Sequence, residues 1–83
     1  MNDEEIIRIG RSAEVVLNSE AFTRALDEIE GQKIRMWADG IYKTPQERED
    51  AYALVRGAKE FRSALNTMLD RMKISRDKVE RNR

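Results

Sequence analysis

Four carboxylates stand in two pairs, Asp27 with Glu30 and Glu47 with Asp50, each pair at a spacing that puts both members on one side of a helix. Helical carboxylate pairs that face each other can hold a divalent cation such as magnesium, which polarises phosphoryl oxygens and activates water. Little other catalytic chemistry is open to this chain, because its 83 residues include no histidine and no cysteine. Disulfides and the usual Cys/His zinc sites are therefore excluded. Ser12, Ser19, Ser63 and Ser75 have no histidine to activate them. The expected geometry opposes the magnesium reading. Asp27 and Glu28 point away from the apolar stripe of their helix. A short turn sets Glu47 and Asp50 beside Trp37, several turns from Asp27, and Glu47 is needed as a helix cap. The carboxylates read as solvated surface, with no catalytic residue, no metal ligand and no cofactor, so the chain is expected not to be an enzyme.

Three other groups carry binding chemistry. Residues 71–83 hold six cations (Arg71, Lys73, Arg76, Lys78, Arg81, Arg83) against two carboxylates. Such a tail can contact phosphates or an acidic protein surface, each phosphate contact releasing a counterion. No aromatic residue is interleaved to stack bases, and a solubilising tail has the same composition. Trp37, Tyr42 and Tyr52 make an aromatic group near one turn, suited to turn packing or to a partner hot spot. Leu65, Met68, Leu69 and Met72, with Ile6 and Ile9 of the N-terminal segment, make the expected oligomer or partner interface; methionine adapts readily to such surfaces. There is no Gly-rich phosphate loop, nucleophile elbow or helix-turn-helix spacing.

The elements that position these groups are helices. Asn2 caps a first helix from Asp3 to about Leu17, with Ile6, Ile9, Ala13 and Val16 in one stripe and Ile7 and Leu17 at its edges. Gly10 weakens it by about 1 kcal/mol relative to alanine, so it depends on tertiary contact. The apolar phase is lost at Glu20, Thr23 and Asp27, which predicts a break at Asn18-Ser19. A second helix then places Phe22, Ala25, Leu26, Ile29, Met36 and Trp37 on one face, with Ile34 at the border. Lys33 interrupts that face, its stem lying along the apolar surface. Asp39-Gly40 ends it. Thr44-Pro45-Gln46-Glu47 is a complete start signal for a third helix: cap, proline at the first position, and capping box. Ala51, Leu54, Ala58, Phe61, Leu65, Met68 and Met72 continue as a heptad seam. Gly57 is its weak point and marks a close helix contact beside Ala58.

A short connection makes the second and third helices antiparallel neighbours. About 20 residues span roughly 30 Å and about 28 span roughly 42 Å, so the far end of the longer arm needs a cover. Either the first helix or another chain supplies it. Beyond Met72 the pattern fades, and residues 75–83 read as a fraying helix or disordered basic tail after a domain at 1–74. With 16 basic and 16 acidic residues, the neutral total argues against a surface devoted to nucleic acid. No signal peptide and no run of roughly 18 apolar residues is present, so a soluble protein, cytoplasmic in its host cell or virion-associated, is expected.

The run Leu17-Asn18-Ser19-Glu20-Ala21-Phe22, then Trp37, then Thr44 and Glu47-Arg48-Glu49, resembles small helical proteins of tailed phages and prophages, encoded among head and DNA-packaging genes. The similarity spans about Ala13 to Leu69 and implies a virion, assembly or packaging accessory; it transfers no catalytic residue. The carboxylate spacing also loosely resembles that of all-helical magnesium-dependent nucleotide pyrophosphatases. The sequence is thus read as an all-α chain, a short N-terminal helix plus a long antiparallel helical hairpin with coiled-coil-like packing, oligomeric through its helices. Its expected role is a non-enzymatic protein-interaction module of phage assembly. The alternative is a small phage or bacterial regulator that binds a host protein or nucleic acid.

Overall fold

The computed structural model describes every residue, Met1–Arg83. The chain forms three α-helices and no strand: α1 (Asp3–Leu17), α2 (Glu20–Ala38) and α3 (Pro45–Arg81). None is long and apolar enough to cross a membrane.

Each helix end has a local cause. The Asn2 side chain accepts a hydrogen bond from the Glu5 N–H at 2.8 Å, and Asp3, Glu4 and Glu5 face the positive end of the helix dipole. α1 stops where the Ser19 N–H turns back to the Val16 carbonyl at 3.1 Å. α2 stops at Gly40, whose φ of 67° is the left-handed conformation that glycine adopts without a Cβ clash. The Gly40 N–H then reaches the Trp37 carbonyl and the Ile41 N–H reaches that of Met36, both at 3.0 Å, so two otherwise orphaned carbonyls are satisfied. At the start of α3, Thr44 Oγ1 accepts from the Glu47 N–H at 3.2 Å. Glu47 Oε2 in return accepts from the N–H groups of Lys43 and Thr44, at 2.6 and 3.4 Å.

The helices build two compact units: Met1–Ser19 with Arg62–Arg83, and Glu20–Phe61. In the first, α1 packs against the C-terminal part of α3. Gly10, Ala13, Met72 and Ser75 are buried, flanked by half-buried Ile6, Ile9, Leu17, Leu65 and Leu69. Gly10 is the point of closest approach: a Cβ there would overlap Met72 Cβ and stand 2.9 Å from the Met68 carbonyl oxygen. Lys78 Nζ lies 3.5 Å from Asp3 Oδ2. Asp3 meeting Lys78 while Gly10 meets Met72 makes the two segments antiparallel. The cover for this end of α3 thus comes from within the chain.

In the second unit α2 and the start of α3 run in opposite directions. Phe22 meets Phe61 at one end, ring centroids 5.7 Å apart, and Lys33, Ile34 and Trp37 flank Arg48, Ala51 and Tyr52 at the other. Only Ala51 is buried in this unit.

Four sequence expectations are corrected. The buried side of α3 includes Ala51, Val55, Ala58, Arg62, Leu65, Leu69, Met72 and Ser75, whereas Leu54 and Phe61 are more than half exposed. The two stripes share Ala51, Ala58, Leu65 and Met72, and a helix turned by one residue exchanges the positions between them. On α2, Ala25, Ile29 and Trp37 are likewise outward, while Phe22, Leu26 and Met36 are half-buried. α3 stays helical to Arg81, past the expected fraying point, because it remains packed as far as Ser75, which is buried. Gly57 makes no close contact, with no atom within 4 Å of where its Cβ would be.

Candidate functional site

The residues most available for function lie on the two flanks of the Glu20–Phe61 hairpin. On α3, Arg48, Tyr52 and Val55 fall to one side of Ala51, and Glu47, Asp50 and Leu54 fall to the other, as helical spacing requires. Lys33, Tyr42 and Ala51 line the grooves on both sides and separate them.

The first flank is aromatic and basic. Ile34, Trp37 and Tyr52 wall an apolar notch with Lys33 and Arg48 at its rim. Trp37 is 62% exposed and Tyr52 58%. The enclosed volume is about 60 Å³, well under the roughly 300–1,000 Å³ of small-molecule sites. It has room for the end of one aliphatic side chain. Lys33 and Arg48 form no ion pair. Tyr42 is half-buried and its hydroxyl donates to Met36 Sδ at 3.8 Å, so it belongs to the floor of the hairpin rather than to its rim. Nearby, the Arg56 guanidinium is held above its ordinary range, first by its hydrogen bond to Glu60 (3.0 Å) and then by Tyr52. Arginine is charged at any working pH, so this shift introduces no pH dependence.

The second flank is apolar and acidic. Met36, Ile41 and Leu54 lie beside Glu47 and Asp50. Leu54 is 54% exposed. Glu47 is tied into the α3 cap, and Asp50 accepts from Gln46 Nε2 at 2.8 Å. Both acidic residues are exposed at this edge.

The carboxylates considered for magnesium are not gathered into one site. Asp27 lines a shallow polar groove on α2 with Glu20, Thr23, Arg24, Glu28 and Arg35, whereas Glu47 and Asp50 lie at the start of α3. No three His, Cys, Asp or Glu side chains come close enough to share a metal ion.

The residues of the expected interface are divided by their burial. Met72 is 2% exposed and packs inside the chain on Gly10; Ile6, Ile9, Leu65 and Leu69 are half-buried; Met68, at 37%, faces outward most. In the tail, Lys78 pairs with Asp3 and Arg76 Nε lies 3.7 Å from Asp77 Oδ1. Arg71, Lys73, Arg81 and Arg83 are exposed and form no ion pair. Helical spacing puts Arg71, Lys78 and Arg81 on one side and Lys73, Arg76 and Arg83 on the other.

The opposite charges of the two flanks escaped the sequence reading, although they were present in it. The sets 47, 50, 54 and 48, 52, 55 are each helical neighbours; a heptad seam that takes Leu54 as buried hides the signal. No protein-family model matches the chain, and no curated protein or solved structure shows significant similarity to it.

Proposed function

We propose that this chain is a non-enzymatic protein-interaction module of phage assembly that associates with copies of itself through its helices. The observation that carries the reading is the unequal distribution of apolar surface. The only apolar side chains buried are Ala13, Ala51 and Met72; besides Met1, Val15 and Ile74, the six residues Ile34, Trp37, Ile41, Tyr52, Leu54 and Phe61 are each at least half exposed. All six belong to the Glu20–Phe61 unit. Burying one large apolar side chain contributes roughly 1.5–3 kcal/mol, so leaving six in water is a strong drive toward association. The resemblance of Leu17–Phe22, Trp37, Thr44 and Glu47-Arg48-Glu49 to small helical phage proteins encoded among head and DNA-packaging genes supplies the setting. A coiled-coil-like contact between copies is part of this proposal.

Mass measurement in solution, by light scattering over a range of concentrations, tests it. An assembly heavier than the 9.7 kDa chain is expected. A monomer at every concentration overturns self-association and favours the alternative of a regulator that uses the same surface on a different protein.

A further inference from the structure

We infer that copies of this chain associate head to tail, the Trp37–Arg48–Tyr52 flank of one hairpin packing on the Ile41–Asp50–Leu54 flank of the next. The inference rests on the self-association proposed above and states how the copies meet. Both flanks are apolar at the centre and charged at the edge, and the edges differ in sign: Arg48 on one side of Ala51, Glu47 and Asp50 on the other. A two-fold contact through the first flank sets Arg48 against its own copy, Lys33 being common to both flanks. One through the second flank sets Glu47 and Asp50 against theirs. Either places like charges across the edge of the contact, which weakens it. Joining unlike flanks puts Arg48 opposite Asp50 instead.

Shape agrees with charge. The notch beside Trp37 and Tyr52 encloses about 60 Å³, and the opposite flank offers Leu54 and Ile41, both at least half exposed, as aliphatic anchors. A contact made by two different patches is heterologous. Each copy keeps one flank free for another, so the association repeats until a ring closes or continues as a filament.

Charge reversal tests the arrangement. Arg48→Glu alone sets a carboxylate against Asp50 of the next copy, and Asp50→Lys alone sets a second cation against Arg48. Each single variant is expected to lose at least about tenfold in association by sedimentation velocity, with helix content checked by circular dichroism. Mixing the two single variants restores every contact in alternation, and the double variant R48E/D50K restores them alone; both are expected to regain the wild-type mass. Restoration also guards against misfolding, since unfolded variants do not recover on mixing. A second measurement uses the absence of native cysteine. Tyr52→Cys and Leu54→Cys chains, mixed and oxidised, are expected to give the mixed disulfide in excess over either homodimer. An associated wild type whose mass is unchanged by both reversals, or no recovery on mixing with an excess of homodimers, overturns the head-to-tail contact while self-association stands. A monomeric wild type overturns both.

Discussion

Gly10 fits where no other residue does. A Cβ at this position overlaps Met72 Cβ and lies 2.7 Å from Met72 Cγ, in the middle of the contact between α1 and α3. Gly10→Ala is expected to lose about 2 kcal/mol of unfolding free energy in urea, overpacking outweighing the gain in helix propensity. Combining it with Met72→Ala is expected to give little rescue, because alanine keeps the Cβ that the new methyl overlaps and the Met68 carbonyl oxygen stays 2.9 Å away. Gly57 is the converse case, with open space around it on α3. Gly57→Ala is expected to raise stability by up to about 1 kcal/mol in the same titration. The sequence shows both glycines inside helices and the same propensity cost for each. Nothing local distinguishes them, because the difference is the presence or absence of a neighbouring helix.

The helices themselves were legible in their ends and ambiguous in their faces. Asn2, Gly40 and the Thr44-to-Glu47 box act on backbone groups within a few residues of themselves, so sequence alone places them. Thr44→Ala should lower stability by about 1 kcal/mol in thermal unfolding, since the Glu47 N–H loses its acceptor. Lys78→Ala should change it by less than about 0.5 kcal/mol, because the pair with Asp3 is exposed and screened. The face of α3 was a different problem. At the ambiguous step the sequence offers Phe61 or Arg62 to the interior, and transfer free energy favours Phe61. In the structure Arg62 is half-buried, and Phe61 stays more than half exposed with its ring against Phe22. Which stripe turns inward depends on the partner helix, which a periodicity does not specify.

For the molecule as a whole, association should make the melting temperature rise with protein concentration, because the folded copies stabilise one another by mass action. A calorimetric melt unchanged over a hundredfold dilution would argue against it. The C-terminal cations are expected to contribute little to any nucleic-acid affinity. They divide between two sides of α3, so a plot of log binding constant against log salt for duplex DNA should have a slope no steeper than about −3. What the sequence by itself determined is the helical class, the positions of the helix ends other than the C-terminus of α3, and the exclusion of thiol, disulfide and imidazole chemistry; composition and short-range backbone hydrogen bonding decide all of these. Tertiary structure alone decided that Gly10 is the closest contact, that α1 covers Met72, that the helix persists to Arg81, and that the Leu54 and Trp37 flanks remain open with opposite charge. These depend on packing between residues distant along the chain. A heptad pattern with apolar side chains in two adjacent stripes is compatible with more than one such packing.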